Sequence, residues 1–199
     1  MCYSASASFT TFFISLFFIL LLWNRNNTYD RWNALFILSF AMIQLWEGFI
    51  WMYGMDNEYI SNIVVPLILI TLYTQPFVQT YMAYSHTNSS LLYLLSIFYF
   101  LLLFYILYRS FHERMYVSTG PHNHLIWHSC DSPSFIGSFG LLYLIGMFIG
   151  LVYGFPNTLP LFVYGCITFI YSTKYWKTLE FSSYWCFIAV GYSILAYFI

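Results

Sequence analysis

Hydrophobic positions run in long, nearly unbroken blocks along the chain, separated by short polar stretches. The blocks cover 5–23, 33–53, 60–84, 91–108, 135–153, 158–176 and 182–199; the polar stretches cover 24–32, 54–59, 85–90, 109–134, 154–157 and 177–181. A helix needs ~20 mostly apolar residues to cross a ~30 Å hydrocarbon core, and each block is close to that length. Seven such blocks would use roughly 140 positions, leaving no room for a soluble domain. The pattern predicts an all-α polytopic membrane protein, a single seven-transmembrane-helix bundle over residues 1–199.

A barrel strand would alternate apolar and polar residues over about ten positions, whereas the stretches 12–23 and 91–108 are apolar on every side. The first block has no basic region before it and no small-residue cleavage site after it, so it reads as a helix and not as a signal peptide. Composition fits the same class. Of 199 residues, 61% are hydrophobic, 25% aromatic and 7% charged, against roughly a quarter charged in soluble domains. A net charge of -1 offers no field for a phosphate backbone, which excludes nucleic acid as a partner. With seven crossings, Arg25 and Arg31 lie opposite Arg109, Arg114, Lys174 and Lys177, so the positive-inside rule places the N-terminus in the cytoplasm. The sequons at Asn26 and Asn88 then fall on the other side. Cys166 and Cys186 lie within predicted spans, Cys2 at the N-terminus and Cys130 in the longest loop, which is no disulfide framework. No internal repeat supports an inverted-repeat transporter.

The strongest chemical signal is Glu47, the only charged residue well inside a predicted span. A carboxylate at that depth costs ~3 kcal/mol or more unless it is paired, hydrated or protonated. Gln44 and Trp51 lie three and four residues away, on the same helical face. In the third span Pro76 kinks the helix and frees a carbonyl, and Gln75 and Gln79 bring amides to that opening. The plainer reading of both features is packing: a protonated glutamate hydrogen-bonded to a neighbour, and a geometric kink. In the longest loop His124 and His128 have the i, i+4 spacing of two imidazoles on one helical face, with Cys130 and Asp131 beside them. Those ligand types suit a metal ion such as zinc, although the ligand count does not complete a closed site. Membrane hydrolases of the alkaline ceramidase and adiponectin-receptor kind use a similar histidine spacing in the last span, which here contains no histidine. Cys2, after removal of Met1, would pair an α-amine with a thiol. Cys186 in the last span supplies a second thiol.

Taken in order, Met1-Cys2-aromatic-Ser4, Glu47, Gln75-Pro76-Phe77, His124 with Trp127, and Trp185-Cys186 resemble a family of uncharacterised multi-pass membrane proteins from bacteria and large DNA viruses. The resemblance spans nearly the whole chain. It implies a seven-helix fold and this residue set, and it carries no activity. His128 departs from the residue that relatives often carry there, which counts against a two-histidine metal site as shared chemistry.

Spans one, two, three and seven can be mutual neighbours. Cys2, Ser4, Gln44, Glu47, Trp51, Gln75, Trp127, Trp185 and Cys186 are therefore the expected lining of one polar pocket, with the His124–Trp127 loop folding over it from the N-terminal side. The expected function is binding or permeation of an ion or small molecule, with the lipid bilayer as partner and a second copy of the chain as a further candidate. The alternatives are a metal- or thiol-dependent membrane enzyme using Cys2, His124 and Cys186, and a structural viral membrane protein. A retinal photoreceptor is excluded because Lys174 and Lys177 precede the last span. A voltage sensor is excluded because no span carries spaced arginines.

Overall fold

The structure, a computed structural model, describes residues 4–54, 57–113, 115–129 and 140–199. Among them are seven helices: α1 (Ala5–Arg25), α2 (Asp30–Tyr53), α3 (Glu58–Thr87), α4 (Ser90–His112), α5 (Gly140–Tyr153), α6 (Leu159–Ser172) and α7 (Phe181–Phe198). Helix α7 is broken at Ala189 into Phe181–Ile188 and Val190–Phe198. Five helices, α1 to α4 and α7, are long and apolar enough to cross a membrane. Among the described residues α5 and α6 have 14 residues each, about 21 Å of rise, so five of the seven expected spans are seen at full length.

The chain is mostly helical, as expected, with one short addition. Between α4 and α5 the strands β1 (Met115–Thr119) and β2 (Leu125–Ser129) form an antiparallel hairpin, with Val117 opposite Trp127 and Tyr116 opposite His128. The cause is local: both runs are rich in β-branched and aromatic residues. Gly120-Pro121-His122-Asn123 between them is turn chemistry, and Asn123 takes the left-handed conformation at φ 60°.

The helices show why a sequence so apolar folds to a unique structure. In α1 the buried positions are Ser8, Thr11, Ser15, Ile19 and Leu22, a helical stripe of mostly small or polar residues. On the other face Phe13, Phe17 and Leu20 are more than half exposed. Small residues inside and large apolar residues outside is the arrangement expected where lipid is the solvent. Helix α4 likewise buries Ser96 and Ser110 and exposes Leu94, Leu101 and Phe104. Ends are capped locally: Ser4 accepts from the Ala7 amide at 3.2 Å, and Asn26 and Asn88 adopt the left-handed conformation that stops α1 and α3.

Helix direction alternates along the chain. Trp185 of α7 meets Thr168 of α6, and one turn on the Ile188 carbonyl meets Tyr164, so α7 runs antiparallel to α6; Tyr192 of α7 meets Phe36 of α2. Helices α3 and α5 run parallel and unusually close. A Cβ on Gly150 would sit 2.7 Å from the Gln79 carbonyl oxygen, and one on Gly146 would meet Pro76 and Tyr99. The Gly146-x-x-x-Gly150 spacing thus lets one helix backbone rest on another. The hairpin packs on α3 and on the first half of α7, at the end of the bundle where α1 begins.

Because the obstruction at Gly150 is backbone, which cannot rotate away, Gly150→Ala is expected to destabilise the bundle by about 1–3 kcal/mol. Thermal unfolding in detergent checks this, with Gly140→Ala, which meets nothing within 4 Å, as the neutral comparison.

Candidate functional site

Glu47 lies on the inward face of α2 and is fully buried, as are Gln44 and Gln75. The Gln44 Nε2 donates to Glu47 Oε2 at 3.1 Å, the contact that their i, i+3 spacing allows on one helix face. Cys186, 1% exposed, is within electrostatic reach of Glu47 and of the Tyr143 hydroxyl. The Tyr143 hydroxyl donates to Gln75 Oε1, and Gln75 Nε2 donates to the Ser39 carbonyl at 3.3 Å. Trp185 lies edge-on to Tyr143, with ring centroids 6.2 Å apart, and donates from Nε1 to Thr168 Oγ1 at 3.2 Å. Hydrogen bonds therefore join α2, α3 and α5 in the interior, each satisfying a group that lipid could not, and α7 meets them through the Trp185 ring against Tyr143.

Of the expected pocket residues, Gln44, Glu47, Gln75, Trp185 and Cys186 are brought into this cluster. Trp51 follows Glu47 by one turn, and its buried Nε1 has no hydrogen-bond partner among the described residues. Ser4 does not join them; it is exposed and serves as the α1 cap. Cys2 lies outside the described residues, as do Cys130 and Asp131. Trp127 is buried in β2, facing the core under the hairpin. The expected mutual grouping of spans one, two, three and seven holds in part: α2 packs on α1, α3 and α7, and α1 packs on α7, but α3 packs on α5, which brings Tyr143 to Gln75.

Tyr143 is the residue that sequence reasoning missed. The signal for it was the Gly146-x-x-x-Gly150 spacing, which marks α5 as a close-packed helix and places Tyr143 one turn before Gly146 on the same face. Tyr73, whose ring lies 6.2 Å from that of Tyr143, also escaped notice.

The histidines belong to a second, separate cluster. The helical i, i+4 reading of His124 and His128 does not hold, because these residues lie along an extended segment where four steps cover about 13 Å. His128 stacks on Tyr116, centroids 4.4 Å apart, and its Nε2 lies 2.7 Å from Ser118 Oγ. His124 is buried between Tyr175 and Tyr184. Among the described residues no group of three or more His, Cys, Asp or Glu side chains is placed to hold a metal ion.

What His124 does have nearby is Glu180, in the stretch before α7, fully buried. Its Oε1 accepts from the amides of His122 at 2.9 Å and His124 at 3.1 Å, and its Oε2 pairs with His122 Nδ1 at 2.7 Å. A side chain at Gly120 would collide with this carboxylate, so the glycine is what lets the turn close on it. Burial works against the Glu180 charge, but hydrogen bonds from His122, Thr178 and the two amides outweigh it and hold the carboxyl below its usual range. Burial pushes the His124 imidazole down to about 4, with the Glu180 charge opposing it. Glu180 thereby ties the hairpin turn to the helical bundle.

Compared with known protein families, curated proteins and solved structures, the chain matches none.

The two titrations set a direction. A depressed carboxyl stabilises the docked state above its unfolded pKa, and that contribution fades as pH falls through the folded value. A histidine held neutral, with its pKa lowered from 6.5 to about 4, likewise costs docking as pH falls across that interval, because the released hairpin binds the proton more readily. Hairpin docking is therefore expected to weaken between about pH 6.5 and pH 4. Hydrogen exchange at the Leu125–Ser129 amides, corrected for intrinsic rates, measures it, and Glu180→Gln should raise exchange already at neutral pH.

Proposed function

We propose that this is a multi-pass membrane protein that binds an ion or small molecule at the Glu47 cluster and lets it pass. The observation that carries the reading is the placement of the one mid-helix carboxyl. It is turned wholly inward and held by Gln44, and Cys186 of α7 lies within its electrostatic reach. An intramembrane carboxyl facing the bundle interior is a costly group that marks ion and proton pathways. Gln44 and Gln75 supply amide groups of both polarities, and the Tyr143 hydroxyl links the second of these to α5.

In this reading the chain crosses the membrane seven times with a cytoplasmic N-terminus. Helix α6 with the following Thr173–Tyr175 turn rises about 27 Å, close to the thickness of the hydrocarbon core. Helix α5 makes its crossing packed along α3. Alternating helix direction supports the same count.

A second reading, that the cluster only locks helices together, is favoured by the completeness of the Gln75 hydrogen bonds to Tyr143 and Ser39. The two readings part on substitution. In reconstituted vesicles, Glu47→Gln is expected to reduce pH-dependent ion flux to the level of protein-free vesicles while assembly stays normal, with Glu47→Asp retaining part of the flux. Unchanged flux in Glu47→Gln, or a Glu47→Leu protein that only loses assembly, supports the helix lock instead.

A further inference from the structure

At the end of the bundle away from the hairpin, the end of α1, the first turns of α2 and α6 and the last turn of α7 enclose a cleft of about 290 Å³. Its floor is made by Asp30, Asn33, Thr158, Leu161 and Ala196, all buried, while Thr28 and Asn157 stand exposed at its rim. A water occupies ~30 Å³ of the liquid, so the cleft has the room of about ten waters. That suits a ligand of about ten non-hydrogen atoms.

The charges in the cleft are settled within the protein. Arg25 Nε and Nη2 donate to the two Asp30 carboxylate oxygens at 2.8 and 2.7 Å, and the Asn27 amide adds a third bond to Asp30 at 2.8 Å. The remaining Arg25 nitrogen, Nη1, donates to the Tyr197 carbonyl. A phosphate or a carboxylate would have to take Arg25 from this two-point pair, and an ammonium would have to take Asp30 from it. Either exchange strands a charge that is now paired. The cleft therefore disfavours ions of both signs.

Its uncharged groups are not settled in the same way. Asn33, 6% exposed, accepts from the Tyr192 hydroxyl through Oδ1 at 3.4 Å, but its Nδ2 has no hydrogen-bond partner among the described residues. A buried donor left unmet is costly, and the cleft is the one side from which a partner can reach it. The Thr158 hydroxyl donates to the Leu151 carbonyl, so its oxygen is left to accept. Asp30 Oδ1 accepts a single bond and has a second lone pair. Donor and acceptors thus stand together on a floor that also carries the apolar Leu161 and Ala196. A hydroxyl both donates and accepts, and hydroxyls on a carbon frame match this mixture.

We infer that the cleft is a binding site for a neutral polyol of about the size of a monosaccharide, with the Asn33 amide as its central contact and the Arg25–Asp30 pair excluding ions. The inference makes no use of Glu47 and stands apart from the function proposed above. The polyol can come free from water or as the headgroup of a glycolipid. Trp23, two residues before Arg25, is 46% exposed and carries the Arg31 guanidinium over its ring at 5.5 Å, an aromatic and basic pairing suited to headgroup depth.

The test uses the full chain in phosphatidylcholine nanodiscs, prepared without glycosidic detergent. Saturation-transfer NMR follows D-glucose and myo-inositol, with sodium phosphate and tetramethylammonium as charged competitors. At least one polyol should bind saturably, and neither ion should displace it. Asn33→Leu should weaken binding at least tenfold, equivalent to about 1.4 kcal/mol. Thr28→Trp, which fills the mouth from an exposed position, should do the same and serves alone if Asn33→Leu does not assemble by gel filtration. Asp30→Asn should admit phosphate, because Arg25 then loses its counter-charge.

No saturable binding of either polyol overturns the inference and leaves a cleft filled by water. Binding unchanged by both Asn33→Leu and Thr28→Trp overturns the assignment of the site. Displacement by phosphate or tetramethylammonium in the unaltered protein overturns the neutral class of ligand, as does a folded Asp30→Asn protein that still excludes phosphate. Glucosyl diacylglycerol added to the nanodiscs separates the two sources. Loss of the free-glucose signal supports a lipid headgroup as the ligand, and an unchanged signal supports a free polyol.

Discussion

A polar group placed among apolar helices must find its hydrogen bonds inside the protein, and most of this structure can be understood as the solution to that constraint. Lipid-facing side chains cannot distinguish one helix arrangement from another, since a leucine is as well solvated by acyl chains as by a neighbour. The choice falls to groups that lipid cannot satisfy. Gln75 fixes α3 against α2 through the Ser39 carbonyl and against α5 through Tyr143. Trp185 fixes α7 against α6 through Thr168, and Trp46 fixes α2 against α3 through Thr71. The Glu47 carboxyl, the most costly of these groups to bury, occupies the centre.

Small residues supply the rest of the specificity. The Ser8, Thr11 and Ser15 stripe on α1 and the Gly146 and Gly150 pair on α5 let helices approach until dispersion contacts become dense. Close approach and polar satisfaction reinforce one another. Tyr143 reaches Gln75 because Gly146 and Gly150 hold α5 against α3, and the hydrogen bond in turn fixes the rotation of α5. The same logic operates at the hairpin, where the absence of a side chain at Gly120 allows the turn to wrap the Glu180 carboxylate. Both ends of the bundle therefore carry a buried acid with a dedicated partner, Glu180 with His122 at one and Asp30 with Arg25 at the other. The mid-bundle acid, Glu47, accepts a hydrogen bond from the Gln44 amide on its own helix.

Parts of this arrangement were legible before any coordinates. The apolar blocks gave the helices α1 to α4 and α7 to within a few residues. Glu47, Gln44, Gln75, Trp185 and Cys186 stood out because polar groups are rare in such blocks. The hairpin was hidden because its strands are five residues each and sit in a stretch long enough to pass for a loop, although its turn residues were visible. The histidine spacing misled because i, i+4 puts two residues on one face of a helix but about 13 Å apart on a strand, so the element type had to be known first. Tyr143 went unnoticed because tyrosine is common throughout this chain, with 20 present, and only the Gly146-x-x-x-Gly150 spacing after it sets it apart.

By itself the sequence determined that the chain is built of long apolar helices, roughly where these lie, and that one carboxyl falls in the middle of one of them. Those follow from hydrophobicity summed along a segment, which is a local property. Tertiary structure alone decided that α5 and not α7 lies against α3, that Ser4 caps a helix outside the polar cluster, and that Glu180 anchors the hairpin. These depend on which faces meet, and in a membrane protein that is settled by a few close approaches and hydrogen bonds between residues far apart in the chain, which apolar patterning does not encode.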